Sequence, residues 1–419
     1  CPTLEYNAAT VMRARQIATS THSMRTPCQR CPQTLCHSPL IMEKFVTIER
    51  AIEIARQTTL QFNVEFIPIQ ECFHRILAED LPSKVDDPAF DNSAMDGWAV
   101  RSEDTTRIEI GQTSAGDKAG RIGPGEAIRI MTGAPIPEGA DAIVMVEDGL
   151  QGEARPHFIR RQGENLRSGE VALSKGQLMT PAAISLAATM GYDTLPVRTK
   201  LRVAVISTGD ELVQPGVELN PGEIYESNSY GLCALLEKIG CEPILHDIVQ
   251  DSLDGLRETL NGCDCDLIVT SGGVSMGERD FVRKLMEDEG QLHFWKVAMR
   301  PGGPPLFGTW KGTPLFGLPG NPVSSHLVFQ LIVAPWIAPE INLFKTVQVR
   351  MLDPVKGAPS KVCFRRIQIS NENGQLVART NTHQGSGNIH SMVAHNGLTI
   401  LPPDTNANVG DHIEALWLM

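Results

Sequence analysis

The stretch from Cys265 to Met286 limits the possible folds of this chain more than any other. Cys265-Asp266-Leu267-Ile268-Val269 is short, apolar and β-branched, as a buried strand is, and Phe281-Val282-Arg283-Lys284-Leu285-Met286 has helical spacing. Between them lies Thr270-Ser271-Gly272-Gly273-Val274-Ser275-Met276-Gly277-Glu278-Arg279-Asp280. The unit therefore reads as strand, glycine turn, helix. Paired glycines let backbone N–H groups approach a ligand, and a helix N-terminus adds unpaired donors and partial positive charge, which suits a phosphate or oxyanion. Asp280 would repel such an anion unless a divalent cation lay between them, so it is either a Mg²⁺ ligand or the cap of its helix. Spacing leaves both open.

The same alternation extends on either side. Strands are predicted over 201–206, 243–248, 266–270 and 292–297, and helices over 228–239, 252–260 and 281–288, with a last helix opening at Pro322. Such alternation calls for a doubly wound, mostly parallel sheet with ligands at the carboxyl ends of its strands. Its loops, Ser207-Thr208-Gly209-Asp210-Glu211, Val249-Gln250-Asp251 and the Ser271 turn, bring three carboxylates to one edge. Upstream, a helix is expected from Thr47, which is placed as its N-cap, and another from Thr180-Pro181 to Gly191. Residues 91–163 read as a β-rich insertion. After about 343, short strands with turns at Glu372-Asn373-Gly374 and Ala394-His395-Asn396-Gly397 suggest a small barrel. The expected fold class is thus multidomain α/β. It comprises a tail (1–41), a first domain (42–90 plus 164–199), the insertion (91–163), an αβα domain (200–342) and a C-terminal β-barrel (343–419).

Composition narrows the partners. A chain of 419 residues with net charge −12 offers no basic stripe for nucleic acid or an anionic membrane. Any anionic substrate must therefore meet a local cluster of cations. No apolar run has the length of a membrane span and no signal peptide is evident, so a cytoplasmic protein is expected. Residues 1–41 carry four Arg against one Glu without apolar periodicity, read as disordered or extraneous, and leave Met42 as the natural start. The Cys28-x-x-Cys31 pair lacks a second pair to complete a metal site, and His383, His390 and His395 are too loosely spaced for one.

Five segments in order resemble one family: Ser93-Ala-Met-Asp-Gly-Trp-Ala, Met131-Thr-Gly-Ala-Pro-Ile-Pro-Glu-Gly-Ala-Asp-Ala, Ser207-Thr-Gly-Asp-Glu-Leu, the Ser271 turn and Leu318-Pro-Gly-Asn-Pro-Val-Ser. Together they are similar to the molybdopterin molybdotransferases, the family of MoeA and the gephyrin E domain, over residues 42–419. The resemblance implies insertion of molybdate into adenylylated molybdopterin with release of AMP, Mg²⁺ dependence, and an elongated homodimer whose first domain forms the dimer contact. The active site would lie between the αβα domain of one subunit and the β-rich domain of the other. It implies functional roles for Asp96, Thr132, Glu211, Lys296 and Arg300 in catalysis. Ser271, Gly272, Gly273, Ser275, Ser324, Arg366 and Ser386 would bind substrate, and Asp251 and Asp280 would hold the metal.

Three positions depart from the family pattern. Asn165 follows Gly163-Glu164 where an Asp is usual, Arg300-Pro301-Gly302-Gly303-Pro304 stands for Lys-Pro-Gly-Lys-Pro, and Trp98 replaces a Tyr. Three other readings compete. A MogA-type adenylyltransferase would carry Thr-Gly-Gly-Thr-Gly at the turn and lack the extra domains. A Rossmann nucleotide binder would carry G-x-G-x-x-G after its first strand. A non-catalytic, peptide-binding scaffold of the gephyrin type is the remaining alternative, and interactions with other enzymes of molybdenum cofactor synthesis fit either role.

Overall fold

The computed structural model describes residues 42–277, 280–381 and 383–418. The expectations for residues 1–41 lie outside the described residues. A seven-stranded sheet forms the centre, in the order Glu43–Val46, Gln291–Val297, Leu306–Trp310, Thr313–Leu318, Leu267–Ser271, Arg202–Ser207, Glu242–Leu245. Only Leu306–Trp310 runs against its neighbours. Because strand side chains alternate between faces, Val203 and Val205 enter one core with Leu232, Leu236 and Val323, while Ala204 and Ile206 enter another with Leu256, Val282 and Leu285. Burial on both faces is what makes these strands almost continuously apolar.

Residues 43–56, which the sequence groups with the first domain, pair and pack with this sheet. Glu43–Val46 lies parallel to Gln291–Val297, and the helix Ile48–Arg56 buries Ala51, Ile54 and Ala55 in the same core. Thr47 caps that helix as expected, its side chain accepting from the Arg50 N–H at 3.2 Å. Thr180 does the same for Pro181–Thr189, accepting from Ala183 N–H.

The remaining regions are built on short strands. Val64–Pro68 pairs with Thr194–Arg198, and these flank the helix Pro181–Thr189, whose Ala183 is buried in one core with Met179 and Leu195. The β-rich segment is a four-stranded sheet ordered Ile108–Thr113, Glu126–Ile130, Gly97–Val100, Ala142–Met145. Asn92–Ser93 pairs with Ile159–Arg160 and closes its base, so the chain leaves and returns at one place. The C-terminal region is a closed barrel of Phe344–Met351, Gln375–Arg379, Arg366–Glu372, Gly397–Thr399 and His412–Leu418. Its hairpin at Asn373-Gly374 has positive φ at both residues, 53° and 84°, the conformation an Asn-Gly pair accepts most readily. Met299–Arg300 pairs with Val362–Cys363 and joins the central sheet to the barrel side. Among the described residues no helix is long and apolar enough to cross a membrane.

Candidate active site

Two neighbouring cavities open at the carboxyl edge of the sheet, sharing Ser275 and Pro304. The first has a volume of about 670 Å³ and is lined by the glycine turn, by the Thr208–Leu212 loop, by Asp251 and by the start of the Pro322–Val328 helix. Its floor requires glycine. Gly272 has φ +98° and a Cβ there would stand 2.8 Å from the Thr208 carbonyl oxygen; Gly273 has φ +68° and its Cβ would meet Val282 at 2.9 Å. A side chain at Gly272 would displace the backbone, and one at Gly273, itself in a backbone conformation that favours glycine, would displace the Val282 side chain. Arg283 N–H donates to the Gly273 carbonyl at 3.0 Å and Trp295 Nε1 to the Val274 carbonyl at 3.0 Å, fastening the turn to the helix and strand that follow.

Three carboxylates, Glu211, Asp251 and Asp280, face this cavity, and among the described residues lining it there is no Lys or Arg. Asp280 occupies the N-cap position of Phe281–Asp288, yet its side chain makes no capping bond. It turns back instead to accept from the Gly277 N–H. Asp251 N–H donates to Asp210 Oδ1 at 3.0 Å, which links the two flanking loops. Ser271 is buried, and its Oγ accepts from Asn228 Nδ2 at 2.8 Å; the same amide nitrogen donates to the Gly320 carbonyl at 2.7 Å. Asn228 Oδ1 is buried without a partner. Behind it the buried Glu226 accepts from Ser207 Oγ and from Ser229 N–H, each at 2.9 Å, so its charge is spent on holding the strand end to the helix Asn228–Lys238.

The second cavity, of about 560 Å³, has the opposite character. Lys296, Arg300 and Lys361 line it together with Gly302 and Gly303, and no carboxylate among the described residues does. Lys296 sits at φ +71°, a conformation a non-glycine residue rarely holds without a reason in its surroundings. Its Nζ lies 4.1 Å from the Trp295 ring centre and 3.1 Å from Met276 Sδ. These are soft partners that do not neutralise its charge.

The other expected residues fall in three places. Ser324 is buried one turn into the helix that borders the first cavity. The Ser386 carbonyl accepts from Val323 N–H at 3.0 Å, and the neighbouring Gly387 lines that cavity. Arg366 is fully buried; its Nε donates to Ser391 Oγ and its Nη2 to the Gly385 carbonyl, both at 3.0 Å, while Nη1 has no partner. Burial pushes this guanidinium down to about 10. Its contacts make it the support of the Gly385–Gly387 loop. Asp96 and Thr132 line neither cavity. They meet each other on the β-rich segment, where Thr132 N–H and Oγ1 both donate to Asp96 Oδ1, at 2.7 and 2.8 Å. Those two bonds, the backbone one first, hold the Asp96 carboxyl below its ordinary value.

Of the departures, Asn165 donates to Asp87 Oδ2 at 3.0 Å, and Trp98 donates through Nε1 to Glu109 at 2.7 Å with Arg129 stacked on its ring. Sequence reasoning passed over Asn228, Glu226 and Lys361. Asn228 and Glu226 could have been found from a polar cluster opening the 228–239 helix. Nothing local marks Lys361.

Taken together, the molecule is a doubly wound α/β protein with an appended β-barrel and a β-rich insertion, its ligand cavities at the carboxyl ends of the strands. Three family models match it in sequence: the MoeA N-terminal region (domain I and II) over residues 46–191, the probable molybdopterin binding domain over 204–339, and the MoeA C-terminal region (domain IV) over 348–418. A molybdopterin molybdenumtransferase of Haemophilus influenzae is 35% identical over 88% of this chain and 97% of its own length. One from Synechococcus elongatus is 37% identical over 84% of this chain and 94% of its own. Among solved structures, the molybdopterin biosynthesis MoeA protein of Pyrococcus horikoshii matches with TM-score 0.74 at 29% identity, covering 89% of this chain and 100% of that one. The chain belongs to the MoeA family of molybdopterin molybdenumtransferases.

Proposed function

We propose that this chain inserts molybdate into adenylylated molybdopterin, releasing AMP and yielding the molybdenum cofactor. The observation that carries the proposal is the pair of adjoining cavities with opposite charge. An adenylylated substrate brings phosphates and molybdate brings a second anion. The glycine turn, with the N–H groups of Gly273 and Ser275, faces the phosphates, and Ser271 adds a hydroxyl; the Gly272 N–H is spent on the Leu318 carbonyl at 3.0 Å, and Ser324 is buried beside the cavity. Lys296 and Arg300 face molybdate, where two cations in a chain of net charge −12 supply the attraction that the whole protein does not.

The carboxylates of the first cavity fit a divalent cation. Asp251 and Asp280 line one space with the glycine turn, and no group of three or more His, Cys, Asp or Glu among the described residues forms a complete protein cage. That donor set suits Mg²⁺, which keeps waters and takes its remaining oxygens from one or two carboxylates and a substrate phosphate. When bound, Mg²⁺ would withdraw charge from the phosphoanhydride. Glu211, on the opposite loop, is placed to orient a water or to accept its proton. Arg366 keeps the Gly385–Gly387 loop over the cavity.

Asp96 and Thr132 line neither cavity, which supports a homodimer in which a partner's β-rich segment completes the site. The expected setting is the cytoplasm. The scaffold alternative has no observation in its favour. The test is reconstitution of the purified protein with adenylylated molybdopterin, molybdate and Mg²⁺. AMP release that requires all three supports the proposal; intact adenylylated substrate after prolonged incubation refutes it.

A further inference from the structure

We infer that Lys361, on the barrel side of the molecule, supplies the third cation of the oxyanion cavity, in the space that Gly303 leaves open. The inference rests on the reading of that cavity as the seat of a tetrahedral oxyanion. Four observations bear on it.

Lys361, Lys296 and Arg300 line one cavity of about 560 Å³ that no described carboxylate enters. Three like charges around one space repel one another unless an anion joins them, so the arrangement is one that binding of an anion relieves. The backbone holds Lys361 there. Val362 N–H donates to the Ala298 carbonyl at 3.0 Å and Phe364 N–H to the Arg300 carbonyl at 2.8 Å, which fixes the segment beside the very residues that carry Arg300. On its other side the turn is held by Gly357 N–H, which donates to Asn406 Oδ1 at 3.0 Å, and by Ser360 N–H, which donates to Asp404.

The two glycines of the Arg300–Pro304 stretch differ in what requires them. Gly302 has φ +100° and a Cβ there would meet Val328 at 2.8 Å, so the backbone requires glycine. Gly303 has no such need. A Cβ at 303 would find the Met299 carbonyl oxygen at 3.6 Å and Lys361 Nζ at 3.8 Å, both ordinary contacts. The nearest side-chain atom to the missing Cβ is thus an ammonium nitrogen. A lysine at 303 and a lysine at 361 would deliver charge to the same space, and this chain uses the second.

The experiment is equilibrium dialysis of the full-length protein against molybdate and, in a parallel arm, against inorganic phosphate, with no pterin present, so that it does not depend on turnover. Lys361→Ala and Lys361→Met are expected to weaken binding of one anion or both by about 10-fold or more, the loss of one charge-assisted contact. Lys361→Arg should stay within about 3-fold of wild type, and Lys361→Ala combined with Gly303→Lys should recover most of the loss. Lys345→Ala, an exposed barrel lysine, is the control and should change nothing. The arm that responds tells whether the cavity takes molybdate or a phosphate. If both anions bind Lys361→Ala and Lys361→Met within about 2-fold of wild type, or if wild type binds neither at millimolar concentration, the inference is wrong. It is also wrong if Lys361→Arg loses as much as Lys361→Met. AMP release by wild type in the presence of either failure leaves the proposed function standing, and absence of AMP release alongside charge-dependent binding removes the proposed function and leaves the Lys361 inference standing.

Discussion

The two cavities share a wall and differ in almost everything else. One is a carboxylate pocket over a turn of obligatory glycines; the other is a cationic pocket over a strained lysine. On the proposed reading, phosphates near Glu211, Asp251 and Asp280 would need a mediating metal, whereas an oxyanion near Lys296, Arg300 and Lys361 would need none. The difference teaches that one edge of a sheet can hold two anions close together if only one of them is held through a cation brought from solution. Mutual repulsion between the proposed substrates would then be divided between protein charge and metal charge.

The largest expected effect separates the pockets directly. Asp280→Asn and Asp251→Asn should each lower AMP release by about 100-fold or more, since each would remove one charge from the proposed Mg²⁺ site. Melting temperature should hold for Asp280→Asn, because Asp280 makes no capping bond and Asn keeps an oxygen to accept from the Gly277 N–H. Molybdate affinity should hold as well. A parallel loss of molybdate binding in either variant would show that the two pockets act as one.

A second contrast is between glycines. Gly272→Ala puts a Cβ 2.8 Å from a backbone oxygen at φ +98° and should cost about 1–3 kcal/mol of stability. Gly303→Ala meets only ordinary contacts and should stay within about 0.5 kcal/mol of wild type. Chemical denaturation of both variants measures this, and equal losses would erase the distinction between a turn built on glycine and a space left by it.

What the sequence made legible follows the same division. Thr47, Thr180-Pro181, Asn373-Gly374 and the Ser271 turn each act within a few residues of themselves, so spacing alone predicted their structure. The sheet partner Glu43–Val46 and the cation Lys361 act across large separations in the chain, through pairings with Gln291–Val297 and Met299–Arg300 that no local pattern encodes. Asp280 shows both sides. Its position at a helix start was legible; that its carboxylate turns to Gly277 and into a cavity was not.

The smallest effect concerns pH. Burial lowers the His293 and His326 imidazoles below their ordinary value. The unfolded chain therefore takes up protons first as pH falls, and stability is lost on acidification starting near the unfolded value of about 6.5. Melting temperature should decline modestly below that pH, and His326→Gln should flatten the slope there. An unchanged slope would assign the decline to other groups.

The most direct measurement is a pair of titrations on one preparation, with and without a chelator of divalent cations. Molybdate affinity should agree within about 2-fold in the two conditions, while AMP release from adenylylated molybdopterin should fall by about 100-fold or more once Mg²⁺ is removed. AMP release that continues undiminished without divalent cations, or molybdate binding that vanishes with them, would contradict the account.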